Sequence, residues 1–243
     1  MESLGQLASD TELISLEIMV NQADSLERID ILFEDEGCVV VAKPPQLLTH
    51  SHPRFPNEVS LIERMQIQCD VPLYIVHRLD RGASGCLLIS KSPERVAEYK
   101  TGLQEGRKQY IALSRGVYRG ESPSLVQNPL KIKGEYKESE SIVSCVATKE
   151  EPRCSLFWVE PKTGRFHQVR RHLRDLTHPI LGDSEHGDSK VNRWWRENMG
   201  LKRLFLHAFS LQCVHVSVQC PLFPDQQELL DTLDLWEPLM DFH

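Results

Sequence analysis

The chain has 243 residues, of which 40% are hydrophobic and 26% charged, a balance typical of a globular protein with a substantial core. It has neither a run of eighteen apolar residues nor a basic start followed by an apolar segment, which argues against a transmembrane helix and a signal peptide. Seven cysteines without a Cys-x-x-Cys pair argue against a disulfide framework and a zinc ribbon, and indicate a reducing cytoplasm.

The net charge of −7 is unevenly distributed along the chain. Residues 77–119 contain nine Lys/Arg against four Asp/Glu, and residues 160–207 contain ten against six. Two basic segments on an otherwise acidic protein could form a local binding track for a polyanion. Basic surfaces are more often simply solvated, so the charge pattern alone leaves both interpretations open.

The first 28 residues are polar and acidic and are predicted to form an N-terminal extension to a domain spanning residues 29–243. Residues 29–45 predict a β-hairpin, because two apolar segments flank the turn-forming residues 35–37. Asn57 is then predicted to cap a helix that buries Val59, Ile62 and Met65.

Two apolar segments, residues 73–76 and 86–89, flank the sequence His77-Arg78-Leu79-Asp80-Arg81-Gly82-Ala83-Ser84-Gly85. The pattern predicts two buried strands joined by a loop in which Asp80 lies between two arginines. Adjacent cations favour the ionised carboxylate, and loops at strand ends often hold reactive groups. A salt-bridged turn without chemistry fits the local pattern equally well.

A helix with Val96, Tyr99 and Leu103 on its buried face is predicted next, ending at Gly106. The strand that follows, residues 107–113, places Lys108 and Tyr110 on one face because side chains repeat every two residues. Residues 120–151 are polar and predict a connection with one hairpin.

The second basic segment begins with a predicted strand, residues 155–159, and a turn, residues 161–165. Phe166, Val169 and Leu173 recur at helical spacing and predict a helix that buries all three. Residues 178–188 form a polar loop in which metal coordination is conceivable, although its glycines also indicate an ordinary turn. A metal-dependent hydrolase using its histidines is therefore one alternative.

Taken together, these motifs resemble the RluA family of RNA pseudouridine synthases over residues 29–217. Four motifs occur in the family's order: residues 35–50, residues 77–85, Lys108-Gln109-Tyr110, and residues 163–170 with 178–183 and 206–208. One departure is Ala83, where the family usually has threonine. Residues 170–173 and 182–188 resemble the TruC branch, whose members act on uridine 65 of tRNA.

The resemblance implies an α+β fold with a mostly antiparallel mixed sheet and flanking helices, the pseudouridine synthase fold. It implies isomerisation of a uridine in RNA without a cofactor or metal, by a cytoplasmic monomer that does not bind membranes. Uridine 65 of tRNA is the expected target, with an rRNA uridine as an alternative. A non-catalytic RNA-binding factor of the same fold is a further alternative.

The resemblance also implies roles for individual residues. Asp80 would either attack the sugar or remove its 2′ proton, Arg165 would pair with Asp80, and Tyr110 would stack on the target base. The base must leave the helix to be reached, and Arg78 would fill the gap that it leaves. The remaining predicted substrate-binding residues are Leu79, Lys108, Arg170, Arg171 and Leu206, of which Arg170 and Arg171 would contact phosphates.

Overall fold

The computed structural model describes residues 27–242, so the predicted N-terminal extension lies almost entirely outside the described residues. Within them are twelve strands and six helices. The strands are β1 (Ile31–Glu34), β2 (Cys38–Lys43), β3 (Tyr74–Ile75), β4 (Ser84–Ser90), β5 (Arg107–Arg115), β6 (Ser124–Val126), β7 (Leu130–Ile132), β8 (Glu135–Lys137), β9 (Ser141–Lys149), β10 (Cys154–Pro161), β11 (Leu206–Cys213) and β12 (Val216–Gln219). The helices are α1 (Leu61–Cys69), α2 (Val96–Glu105), α3 (Gln168–Asp175), α4 (Ser189–Met199), α5 (Pro224–Thr232) and α6 (Trp236–Phe242).

Ten of the strands form one mixed sheet. Eight of them follow the order β1-β2-β4-β11-β5-β10-β9-β6, and the other two attach beside this path, β3 to β4 and β12 to β11. The strands β7 and β8 form a separate hairpin. Only the β4–β11 pair is parallel among the described strands. The architecture confirms the expected α+β fold with a mostly antiparallel sheet.

The central strands are apolar because both faces of the sheet are covered. Every residue of β2, β4 and β10 is buried, as expected for strands with packed elements on both sides. The predicted first hairpin is confirmed as β1 and β2. Its turn is closed by the Asp35 carboxylate, which accepts hydrogen bonds from the backbone N–H groups of Gly37 and Cys38, both at 2.7 Å.

Side-chain caps define the starts of two helices. Asp188 caps α4, accepting hydrogen bonds from the N–H groups of Lys190 and Val191. The prediction that Asn57 caps α1 is wrong, because the cap is Ser60. The Glu63 carboxylate accepts the Ser60 N–H at 2.7 Å, and this Ser-x-x-Glu arrangement fixes the helix start three residues later than predicted.

The predicted burial of Phe166 is also wrong. Val169 and Leu173 are buried as expected, but α3 begins at Gln168, and Phe166 lies before it with 53% of its surface exposed. The physical reason is His167, whose left-handed backbone (φ 51°) breaks the helical path between Phe166 and the helix. The helical spacing of apolar residues therefore extends past His167 to Phe166, although the helix itself begins only after His167.

Residues 120–151 form more structure than the single hairpin expected from the sequence. They contain β6, the small β7–β8 hairpin and the whole of β9. All seven cysteines lie in the described part of the chain and have free thiols, as predicted. None of the helices within residues 27–242 is long and apolar enough to span a membrane.

Candidate active site

The centre of the sheet brings the predicted motifs together. Gly85 of β4 is paired with Ala208 of β11, Ala208 with Tyr110 of β5, and Tyr110 with Val159 of β10. This row runs across four neighbouring strands and places Tyr110 beside the loop that carries Asp80. Gly85 is required here, because its φ is +112° and a Cβ would lie 2.2 Å from the Ala208 carbonyl oxygen.

Buried side chains hold the backbone of the Asp80 loop. The Lys43 ammonium is fully buried and donates to the carbonyl oxygens of Pro44 and Ala83, both at 2.8 Å, and of Arg81 at 3.3 Å. Burial lowers the pKa of Lys43 to about 7. The Thr49 hydroxyl donates to the Leu79 carbonyl at 3.0 Å. The loop is thus fixed through its carbonyl groups.

Arg81, to which the sequence assigned no role, fastens the same loop to the preceding segment. Its guanidinium pairs with Glu58 at 2.7 Å, donates to the Gln46 carbonyl at 3.2 Å and lies over the ring of Phe55. These contacts connect the Asp80 loop to residues 46–58.

The end of the loop rests on a buried polar network that the sequence reasoning missed. Arg203 forms a two-point ion pair with Asp225, at 2.7 and 3.0 Å, and donates to the Ser84 hydroxyl at 3.1 Å. Ser84 also contacts His207 Nδ1 at 2.9 Å. No local signal singles out Arg203 or Asp225, because the partners are separated by 22 residues.

The Asp80 carboxylate of the loop is paired with a buried arginine. Asp80 Oδ2 accepts from Arg170 Nη1 at 3.1 Å, and Arg170 forms a two-point pair with Asp183 at 2.7 and 2.8 Å. The Arg170 side chain is 6% exposed and that of Asp183 is fully buried. Burial disfavours both charges, but their mutual hydrogen bonds outweigh it, raising the pKa of Arg170 and lowering that of Asp183.

His167 completes the surroundings of Asp80. Its Nε2 lies 3.7 Å from Asp80 Oδ1. The left-handed backbone at the start of α3 turns this imidazole toward the loop and leaves it 8% exposed. Burial lowers the pKa of His167, an effect that the nearby Asp80 only partly offsets, so the ring is neutral near pH 7.

The predicted pairing of Arg165 with Asp80 is therefore wrong, whereas the contact of Arg170 with phosphates stays a prediction. Arg165 is exposed, and its Nε donates to the Glu138 carbonyl at 2.9 Å. Arg165 lies in the turn before α3, whereas Arg170 is one residue beyond the buried Val169 on the helix itself. Of these two arginines, Arg170 is the one that reaches Asp80.

One cavity of about 560 Å³ collects nearly all of the predicted site residues. Those that line it are Arg78, Leu79, Asp80, Lys108, Tyr110, Arg165, Arg170 and Leu206. Arg171 is the exception, and its Nη1 donates to the Lys131 carbonyl at 3.2 Å. Burial raises the pKa of Tyr110 and the charge of Asp80 adds to this effect, so its phenol stays protonated at neutral pH.

The lining of this cavity is strongly cationic although the whole chain is acidic. Its Lys and Arg residues are Arg78, Lys100, Lys108, Lys162, Arg165 and Arg170, whereas Asp80 is its single carboxylate among the lining residues. The two basic segments of the sequence thus meet in one cleft. Such a cleft concentrates positive potential where a polyanion would bind.

One group of side chains near Asp80 has the donors for a metal ion. Ligand atoms of His167, Glu185 and His186 all lie within 4.8 Å of one another, and His167 Nδ1 is 3.0 Å from His186 Nε2. Neutral imidazoles and a carboxylate are common ligands of Zn²⁺. The Arg170 guanidinium, 3.6 Å from Glu185, already supplies positive charge beside this group.

Comparison with known proteins agrees with the motifs. The sequence profile described as RNA pseudouridylate synthase matches residues 37–175. The tRNA pseudouridine synthase C of Vibrio cholerae is 34% identical over 80% of this chain and 88% of its own, and that of Salmonella typhimurium is 34% identical over 80% and 83%. A ribosomal large subunit pseudouridine synthase C from Pasteurella multocida is 32% identical over 93% and 74%.

Solved structures share the fold at lower identity. Human RNA pseudouridylate synthase domain containing 4 superposes with a TM-score of 0.70 at 20% identity, covering 90% of this chain and 98% of that one. Human RNA pseudouridylate synthase domain containing 1 gives 0.66 at 22%, covering 84% and 88%. The profile match and the identity to curated relatives show that this chain belongs to the RNA pseudouridylate synthase family and is an RNA pseudouridine synthase, an isomerase.

Proposed function

We propose that this enzyme converts uridine 65 of tRNA to pseudouridine with Asp80 as its catalytic carboxylate. The observation that carries the proposal is the position of Asp80, the single carboxylate lining a cationic cavity, held there by the buried Arg170. The names of the relatives from Vibrio cholerae and Salmonella typhimurium support tRNA as the substrate. The free thiols support a cytoplasmic location, and we expect a monomer.

The reaction breaks the bond between N1 of uracil and C1′ of ribose, turns the base and joins C5 to C1′. Atoms balance without any other reactant, because the proton lost from C5 is replaced by one gained at N1. Asp80 either attacks C1′ or removes the 2′ proton, and both routes use an ionised carboxylate. Arg170 holds that carboxylate in place, and Asp183 in turn holds Arg170.

The remaining lining residues have binding roles in this proposal. Tyr110 stacks on the target base, and its protonated phenol is a hydrogen-bond donor rather than a phenolate base. Leu79 and Leu206, both buried, shape the pocket. The exposed Arg78 fills the space left in the RNA when the uridine flips out, while Lys108 and Arg165 add positive charge to the cleft.

The decisive variant is Asp80→Asn, which keeps the size of the side chain and removes its charge. We expect it to abolish pseudouridine formation on unmodified tRNA transcripts while tRNA binding stays within a few fold of wild type. Pseudouridine release assays and filter binding measure the two quantities. An active Asp80→Asn enzyme would refute the catalytic role, and the non-catalytic alternative predicts that wild-type protein is equally inactive.

The target is tested separately by mapping pseudouridines in total RNA from cells with and without the gene. Loss at position 65 of tRNA supports the proposal. The 32% identity to a ribosomal large subunit synthase favours an rRNA uridine as the second candidate, and loss only in rRNA would establish it. The metal-dependent hydrolase alternative predicts inactivation by EDTA, whereas we expect activity to be unchanged.

A further inference from the structure

Phe166 is a large apolar side chain that the fold leaves in solvent beside the active site. Its ring is stacked on that of His167, with centroids 3.6 Å apart and an interplanar angle of 22°. One face of Phe166 is therefore covered, yet 53% of the residue remains exposed. Single exposed apolar side chains are common on protein surfaces, so the function of Phe166 must be argued from the residues around it.

Phe166 lies close to Asp80, so a ligand that binds Phe166 would occupy the same cleft as the substrate. Phe166 lines both the 560 Å³ cavity and an adjoining cavity, and the two share Arg78, Asp80 and Arg170. His167, on which Phe166 stacks, lies 3.7 Å from the Asp80 carboxylate. The exposed ring thus stacks on a side chain that lies within 3.7 Å of the catalytic carboxylate.

The charges around Phe166 point to a nucleic acid rather than to an apolar partner. The adjoining cavity adds Arg54, Arg81, Arg196, Lys202 and Arg203 to the cations of the first, and its two further carboxylates, Asp183 and Glu185, leave Lys and Arg in excess. An aromatic face between cations is the arrangement by which proteins bind single-stranded nucleic acid, because bases stack on the ring while phosphates meet the cations. A protein or lipid partner would require a broader apolar surface than one ring provides.

We propose that Phe166 is a stacking platform for the base of a nucleotide next to the flipped uridine. The inference rests on the proposed function, since RNA must enter the cleft. The platform is pre-organised: His167 is held between Asp80 and His186, whose Nε2 lies 3.0 Å from His167 Nδ1. A base added to Phe166 would extend an existing stack of two rings and bury the face that is now exposed.

The test compares Phe166→Leu, which keeps apolar bulk without a π face, with Phe166→Trp, which keeps the π face. Trp194→Ala is the matched control, because Trp194 is 46% exposed but lines a different cavity with Arg115 and Arg153. Binding of unmodified tRNA transcripts is measured by filter binding from 50 to 300 mM salt, and melting temperature confirms folding.

We expect Phe166→Leu to weaken tRNA binding roughly 5- to 150-fold, the range of about 1–3 kcal/mol for one stacked base. The slope of log Kd against log salt should not change, because no phosphate contact is lost. Phe166→Trp and Trp194→Ala should bind like wild type.

Wild-type affinity in Phe166→Leu, or an equal loss in Trp194→Ala, would overturn the stacking platform. A changed salt slope in a folded Phe166→Leu protein would also overturn it, because the loss would then lie in phosphate contacts. The proposed function fails differently, through a wild-type enzyme that binds tRNA and forms no pseudouridine. The two failures are therefore distinguishable in the same set of samples.

Discussion

The floor and the rim of the cleft use charge in opposite ways. The floor, defined as Asp80, Arg170 and Asp183, is a chain of ion pairs whose side chains are 19%, 6% and 0% exposed. The rim, defined as Arg78, Arg165 and Phe166, is exposed to solvent. Buried charges must be paired in one geometry because desolvation is costly, whereas exposed charges act through a screened field. The floor is suited to position a reacting group, and the rim to attract RNA.

The largest expected effect comes from breaking the floor. Arg170→Lys keeps the charge but cannot bridge Asp80 and Asp183 with a planar two-point contact. We expect the single-turnover rate of pseudouridine formation to fall roughly 100- to 1,000-fold, the loss typical of a misplaced electrostatic group. Arg174→Ala on the same helix, whose side chain is 44% exposed, is the control and should react like wild type. Equal single-turnover rates in Arg170→Lys and Arg174→Ala would contradict the role assigned to the floor.

A smaller effect is expected from the lysine beneath the Asp80 loop. Lys43→Met leaves the carbonyls of Pro44, Arg81 and Ala83 without their donor, and one unsatisfied buried group costs about 1–3 kcal/mol. The free energy of unfolding, measured by urea titration, should fall by at least that amount and the reaction should slow. Lys137→Met, at a side chain 48% exposed, should change neither. An unchanged free energy of unfolding in Lys43→Met would show that the Asp80 loop keeps its conformation without the hydrogen bonds from Lys43.

The pH dependence of stability tests whether His77, beside the Asp80 loop, is buried as a neutral imidazole. His77 Nε2 accepts the Leu88 N–H at 3.0 Å, and burial lowers the pKa of His77 to about 3. Between about pH 6.5 and 3 the unfolded chain binds a proton that the folded chain does not, so stability falls as pH decreases, by about 1.4 kcal/mol per pH unit.

Other histidines with lowered pKa values, including His167 and His172, add to this loss. His77→Gln keeps an acceptor for Leu88 but does not titrate. In His77→Gln we expect the slope of unfolding free energy against pH to decrease by about 1.4 kcal/mol per pH unit, which is the contribution of one proton. An unchanged slope would mean that the His77 imidazole is not buried in its neutral form.

The smallest expected effect lies on and beside the rim. Arg165→Ala and Arg171→Ala should each weaken tRNA binding by a few fold and reduce the salt slope by about one, with the single-turnover rate at saturating RNA unchanged. Binding measured over a salt series separates these variants from the floor variant, which should keep the wild-type slope. A rim variant that loses rate at saturation would place that arginine in the chemistry.

Local sequence patterns were sufficient to predict those elements that are stabilised by contacts between residues close together in the sequence. The β1–β2 hairpin follows from Asp35 and its turn, and the cap of α4 follows from Asp188. Asp80 and Tyr110 could be recognised because their motifs are continuous segments. Ser60 rather than Asn57 caps α1, because the Glu63 carboxylate accepts hydrogen bonds from both the N–H and the hydroxyl of Ser60. A prediction from one residue alone does not include this paired arrangement.

The sequence by itself determined the family, the α+β architecture, the strands that carry the motifs and the acidic residue around which the cleft is built. Only the tertiary structure decided which arginine meets Asp80 and which aromatic stays in solvent. Both outcomes depend on the left-handed backbone of His167, which separates Arg165 and Phe166 from α3 and leaves Arg170 facing two carboxylates. Residue spacing assumes an uninterrupted helix, and ion pairs between residues 90 apart have no signature in local periodicity.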